Sequence, residues 1–142
     1  LPLLRESRGQ VVAIGSMAGW MPVLGRAGYC AAKAALGQAF EVLRAEITED
    51  GIALLMVYPS FLKTPIDRNA LGGDGQPAGH ARSTIGRIRG ADWMAKQILE
   101  AVEQRHERLF PDHGSWLASL LWRLAPRLYH RKMCERFAGD LK

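Results

Sequence analysis

SMAGWMPVLGRAGYCAAK, residues 16–33, decides how this chain is read. Most of it is small or apolar: Ala18, Gly19, Gly25, Ala27, Gly28, Ala31 and Ala32. Set into it are Ser16, Tyr29 and, four residues further on, Lys33. A phenol and an ammonium at i and i+4 lie on one face of a helix, about one turn apart. The small residues around Tyr29 allow a ligand to come close. The question is what a segment of this kind does with two such groups.

The flanks give the frame. QVVAI, Gln10 to Ile14, is a short apolar β-branched run and reads as a buried strand that ends at Gly15 and Ser16. Residues 17–25 read as a loop. From Ala27 to Asp50 the pattern is helical, with Ala32, Leu36, Phe40, Leu43 and Ile47 at spacings of three and four and Gly51 as a C-terminal cap. IALLMVY, Ile52 to Tyr58, is a second continuous apolar run, stopped by Pro59. Strand, helix and strand make a βαβ unit, and fully apolar strands suit a parallel sheet covered on both faces. Ligands of such sheets bind beyond the carboxyl ends of the strands. Ser16 lies just past the first strand and Pro59 to Thr64 just past the second. The helix returns antiparallel, so its N-terminus, with Tyr29, sits at the same edge.

The second half is less patterned. Residues 67–90 are rich in glycine, proline and charge and read as a mobile loop or lid. The cluster GGDGQPAG follows no apolar strand and opens no periodic helix, so it reads as flexible loop, not as a phosphate turn. Asp92 is expected to cap a helix running to about His106, with Met94, Ile98 and Val102 on one stripe. Arg108 to Phe110 reads as a short third strand. A terminal helix, or a pair broken at Pro126, follows.

Composition narrows the class. The 142 residues are 48% hydrophobic and 23% charged, as expected of one globular domain or part of one. Cys30 and Cys134 are far apart and read as reduced thiols of a cytoplasmic protein. The four histidines have no ligand spacing, so no metal site is expected. No apolar run reaches the roughly 18 to 20 residues that span a bilayer. The net charge is +5, and Arg123, Arg127, Arg131, Lys132 and Arg136 against Glu135 supply +4 of it. The main fold is thus near neutral, which argues against nucleic acid as a partner. Trp116, Leu120 and Leu124 form a stripe just before these arginines. That segment either covers a substrate pocket, packs in a dimer or lies peripherally on a membrane surface.

The Tyr29–Lys33 pair has a chemical use. A phenol titrates near 10 and is a poor base at neutral pH; a nearby ammonium and a helix N-terminus both stabilise the phenolate. Bringing it to about 7 takes roughly 4 kcal/mol, at about 1.4 per unit. A hydroxyl such as Ser16 can then fix a substrate oxygen beside the phenol. Taken alone, a Tyr-x-x-x-Lys spacing also fits an exposed surface pair, and a serine after a strand also fits a turn. Their meeting at one sheet edge is what makes a site.

GSMAG, YCAAK thirteen residues after the serine, and the loop YPSFLKT together resemble the short-chain dehydrogenase/reductase family, over residues 3–66 closely and 91–112 loosely. The resemblance implies a Rossmann-like doubly wound α/β sheet, of which residues 1–142 would be the C-terminal part, with the N-terminal cofactor-binding part missing. It implies an NAD(P)-dependent oxidoreductase that interconverts a carbonyl and a secondary alcohol, using NAD or NADP, and homo-oligomeric at full length. Tyr29 would be the acid/base. Lys33 would lower the Tyr29 pKa and bind the nicotinamide ribose, Ser16 would orient the substrate oxygen, and Pro59 and Thr64 would contact the nicotinamide. The substrate would be a small-molecule carbonyl or alcohol, and the tryptophans and leucines of the C-terminal segment point to a lipophilic one. The 142-residue stretch alone is expected to be inactive, because the family's pyrophosphate turn lies upstream. A non-catalytic member acting as a scaffold, and a membrane-surface module, are the competing readings. Ser60 stands where the family usually has glycine, with strain expected if the position needs positive φ.

Overall fold

The first strand has the expected bounds but not the expected burial, since only Ala13 in it is buried and Ile14 is 48% exposed, and the second loses one residue at each end. The computed structural model describes residues 1–71, 75–77 and 87–137, the side chains at 67 and 68 excepted. After a short helix α1 (Pro2–Ser7), β1 (Gln10–Ile14) runs parallel to β2 (Ala53–Val57), with Gln10 opposite Ala53 and Ile14 opposite Val57. The last strand, Arg108–Leu109, pairs in parallel with the other edge of β2. β2 is therefore central, and Leu55, Met56 and Val57 are wholly buried. A central parallel strand faces helices on both sides, which is why its sequence is continuously apolar instead of alternating.

The two faces carry separate cores. Leu54, Met56 and Tyr58 pack with Ala13, Met17, Ile47 and Ile52, and Phe40 and Leu43 of α2 (Ala27–Glu46) lie against them. Leu55 and Val57 point the other way, onto Met94 and Ala101, with Ile98 and Val102 beside them. These last four belong to the helix Ala91–Glu103. Helices on both faces of a parallel sheet give the doubly wound arrangement.

Several local expectations need correction. α2 stops at Glu46, and Thr48–Asp50 is a separate 3-10 turn that ends on Gly51 at φ 69°. Ala32, expected on the buried stripe, is exposed, and no residue of α2 is fully buried. Gly90, not Asp92, is the N-cap of the helix Ala91–Glu103, in extended backbone without a side-chain cap; Asp92 lies in the first turn. There its charge faces the positive end of the helix dipole. That helix ends at Glu103, short of His106. Where the sequence reads as loop, β3 (Leu62–Lys63) and β4 (Arg89–Gly90) form a two-stranded parallel ladder, and α3 (Ile66–Asn69) follows β3. Most of the glycine cluster lies outside the described residues. With these elements in place, the helix Ala91–Glu103 is α4 and the strand Arg108–Leu109 is β5.

The chain closes with a hairpin, α5 (His113–Leu124) and α6 (Pro126–Phe137), joined by Ala125. Pro126 opens α6, where its missing N–H costs nothing. Tyr129, Met133 and Phe137 form a third core with Met21, Val23, Leu24, Leu121 and Trp122. Cys30 and Cys134 are both free. Among the described residues, no helix is long and apolar enough to cross a membrane.

A polar clasp joins α2 to the sheet. The Arg44 guanidinium donates to the carbonyls of Leu54 and Glu107 and to Glu41, while Arg108 donates to both Glu41 oxygens at 3.0 and 2.8 Å. The Arg108 hydrogen bonds, opposed by partial burial and helped by Arg44, hold the Glu41 carboxyl below its ordinary value of 4.5. A carboxyl lowered in the folded state adds stability above its unfolded value, and that stability is lost as pH falls through the folded value. Glu41→Gln should therefore lower the melting temperature at pH 7, by the equivalent of about 1 kcal/mol. It should also flatten the fall in melting temperature below pH 4.5. Thermal melts of both proteins from neutral to acid pH check this; parallel curves would refute the role of the clasp.

Candidate active site

The site begins where β1 ends. The Gly15 N–H donates to Val57 O at 2.9 Å and the Met17 N–H to Pro59 O at 3.1 Å, so the chain on either side of Ser16 is tied to the exit of β2. Ser16 caps the 3-10 turn Met17–Gly19, and its Oγ accepts the Ala18 N–H at 3.1 Å. With the oxygen accepting, the hydroxyl proton is left for another group.

Lys33 is gripped twice, by the end of β1 and by this turn. Its Nζ donates to Ile14 O, the last residue of β1, at 3.2 Å. Its backbone lies so close to Gly19 that a Cβ there would sit 2.6 Å from Lys33 O and 2.7 Å from its carbonyl carbon. Real Cβ atoms do not approach that closely, so only glycine permits this contact. Tyr29, one turn earlier and in the first turn of α2, is 40% exposed, and among the described residues its hydroxyl makes no hydrogen bond. The structure thus brings Ser16, Lys33 and Pro59 together at the carboxyl edge, with Tyr29 on the face that Lys33 occupies. Thr64 is exposed and follows β3, and among the described residues no hydrogen bond joins it to the others.

Three features go beyond the sequence reading. The first is Gly19, which serves the packing of turn on helix and leaves no room for a ligand there. The only sequence signal for this role is its place three residues after Ser16. Gly28, beside Tyr29, does stand in open space, with nothing within 4 Å of where a Cβ would lie. The second is Ser60, which carries no backbone strain, since the non-glycine residues at positive φ among those described are Arg8 and Arg105. Its hydroxyl instead faces Asp112, the N-cap of α5. Burial disfavours the Asp112 carboxylate, but hydrogen bonds from Ser115, Gly114 and Ser60 outweigh it and hold the carboxyl below 3.8. The third is the contact of the terminal hairpin with residues 20–24. A cleft of about 280 Å³, lined by Gly19, Trp20, Pro22, Cys30, Ala34 and Trp122, lies between them. It opens on the Cys30–Ala34 face of α2, away from Tyr29. A second cleft, about 380 Å³, lies at the amino ends of the strands between Arg8 and Arg105.

A family model described as short chain dehydrogenase matches residues 1–73, just over half of the chain. The chain belongs to the short-chain dehydrogenase family. Dehydrogenase/reductase SDR family member 7B of Rattus norvegicus is 31% identical over 141 residues, and that of Xenopus tropicalis is 33% identical over 141. These alignments cover 99% of this chain but 43% and 46% of the relatives, so the chain spans less than half their length. They run through α5 and α6, past the residues that carry the sequence motifs. Among solved structures, a short-chain dehydrogenase from Burkholderia cenocepacia in complex with NADP superposes with a TM-score of 0.73 at 17% identity, over 93% of this chain and 50% of the other. One from Streptomyces avermitilis gives 0.64 at 23%, over 100% and 56%. The fold is that of these enzymes, a Rossmann-type parallel sheet, and this chain matches part of it.

Proposed function

We propose that this chain carries the proton-transfer side of an NAD(P)-dependent oxidoreductase that interconverts a carbonyl and a secondary alcohol. We place it as the C-terminal part of one NAD(P)-binding domain. The observation that carries the reading is the double grip on Lys33, which fixes the Ser16 turn and the Tyr29 helix in one frame while the Tyr29 hydroxyl makes no hydrogen bond among the described residues.

The donors left over fit a nicotinamide nucleotide. An ammonium has three N–H donors. Lys33 spends one on Ile14 O, so two remain for ribose hydroxyls. Pro59 and Thr64 flank the same edge and would hold the nicotinamide ring. Bound there, the cofactor supplies or accepts the hydride. The chain's own residues handle the proton. In reduction, Tyr29 gives its phenolic proton to the carbonyl oxygen; in oxidation, it takes the alcohol proton. Lys33 places a positive charge one turn from the oxygen on which negative charge develops. Ser16 donates its free hydroxyl proton to the same substrate oxygen and fixes its position. The tryptophans and leucines of the C-terminal segment support a lipophilic substrate. The scaffold reading is weaker, because a chain relieved of chemistry has no need of this free phenol and held ammonium.

With the preceding half of the domain in place, Tyr29→Phe should cut turnover by about 10² to 10⁴ and leave cofactor binding intact, since only a proton is removed. Lys33→Ala should harm both rate and cofactor affinity. Steady-state kinetics with aliphatic ketones and NADH or NADPH test this. A Tyr29→Phe rate within a few-fold of wild type would overturn the assignment.

A second reading rests on the outer face of α5. Trp116, Leu117 and Leu124 are 40%, 58% and 83% exposed, and four cations, Arg127, Arg131, Lys132 and Arg136, stand on α6. An apolar face beside a basic one suits an anionic lipid surface. Co-sedimentation with phosphatidylserine vesicles, reversed by salt, is the expected result; equal recovery with phosphatidylcholine vesicles would contradict it.

A further inference from the structure

We infer that Tyr129, far along the chain on α6, is a positioning residue for Tyr29, acting through the carbonyl of Pro22. The inference rests on the acid/base reading of Tyr29. The Tyr129 hydroxyl donates to Pro22 O at 2.6 Å, and its ring is 4% exposed. Pro22 belongs to the loop that leads from the Ser16 turn to the start of α2. That loop lies in no sheet; its backbone bonds run from Met21 N–H to Met17 O and from Arg26 N–H to Val23 O, at its two ends, and the Tyr129 hydroxyl takes Pro22 O between them.

The hairpin holds the loop at two points. At its start, the Arg123 guanidinium lies 4.0 Å over the ring of Trp20, which adjoins Gly19. At its middle, Tyr129 takes Pro22 O, while Met21, Val23 and Leu24 pack on Tyr129, Met133 and Phe137. From there the path to Tyr29 is short. Val23 O accepts the N–H of Arg26, the N-cap of α2, at 3.3 Å, and the Cys30 thiol at 3.9 Å. Cys30 adjoins Tyr29. Burial first, and the neighbouring Cys30 second, push the Tyr129 phenol up to about 12. Its hydroxyl therefore stays a donor throughout the range in which a dehydrogenase is assayed. Without this anchor the first turn of α2, and the Tyr29 oxygen with it, gains freedom relative to Ser16 and Lys33. General acid/base transfer depends steeply on such placement.

The test compares Tyr129→Phe, Met133→Ala and Tyr29→Phe in the full-length protein, with an aliphatic ketone and NADH or NADPH. Tyr129→Phe removes one hydrogen bond and should lower kcat about 5- to 10-fold, leave the cofactor KM unchanged and move the pH profile of kcat. Met133→Ala, in the same core, should lower the melting temperature but leave the pH profile in place. A Tyr129→Phe enzyme with wild-type kcat and pH profile, beside an inactive Tyr29→Phe, overturns the positioning role alone. An active Tyr29→Phe overturns the acid/base reading on which it rests. Should Tyr129→Phe fail to fold, Arg123→Gln, which frees only the Trp20 end, should move the pH profile the same way; an unmoved profile there also overturns the inference.

Discussion

The site depends on the absence of one carbon atom. Gly19 meets the backbone of Lys33 at a distance no side chain allows. The Ser16 turn can therefore lie directly on the helix that bears Tyr29. The Lys33 ammonium, reaching back to Ile14 O, closes the other side of the same contact. Backbone bonds from Gly15 and Met17 then hold the turn to the exit of β2. A strand end, a turn, a helix start and a second strand end are thus locked together by short contacts, and Ser16, Tyr29 and Lys33 stand on the locked part. Close packing makes this stiff, because an interior without gaps passes a displacement on instead of absorbing it.

The terminal hairpin adds a second layer of support. Its inner face is spent on the loop that joins the Ser16 turn to α2, and Asp112 at its start faces Ser60 on the loop after β2. Residues near the end of the chain therefore brace both segments at the carboxyl edge of the sheet. The alignments with relatives run through this hairpin, although the family model stops at residue 73. Phe110, stacked on Tyr58 at 4.8 Å with Trp20 against both rings, forms the joint between hairpin and sheet.

How much is legible in the sequence follows from the range of each interaction. The run around Leu54 to Val57 can be read because burial on both faces leaves a continuous apolar signature, and QVVAI, although only Ala13 in it is buried, can be read from its β-branched residues. Ser16, Tyr29 and Lys33 can be read because strand ends and a four-residue helical spacing place them without knowledge of contacts. β3 and β4 cannot, since strands of two residues have no period. The cap of α4 is hidden because Gly90 caps by backbone conformation alone, while an aspartate such as Asp92 is the usual signal. Ser60 reads as a strained replacement for glycine, and only tertiary structure gives it Asp112 as a neighbour. The roles of Gly19 and Tyr129 are long-range: beyond the place of Gly19 three residues after Ser16, nothing local announces them.

The central claim is that the Gly19–Lys33 approach builds the site, and a pair of glycine substitutions measures it without any substrate. In Gly19→Ala the new carbon meets backbone at 2.6 Å and something must shift; the cost should be about 1 to 3 kcal/mol, read as a lower melting temperature. Gly37→Ala, inside α2 with nothing within 4 Å of the new atom, is the control. It should raise stability by up to about 1 kcal/mol through helix propensity. Opposite shifts in the two thermal melts are the predicted result. A Gly19→Ala protein that melts with or above wild type would contradict the account.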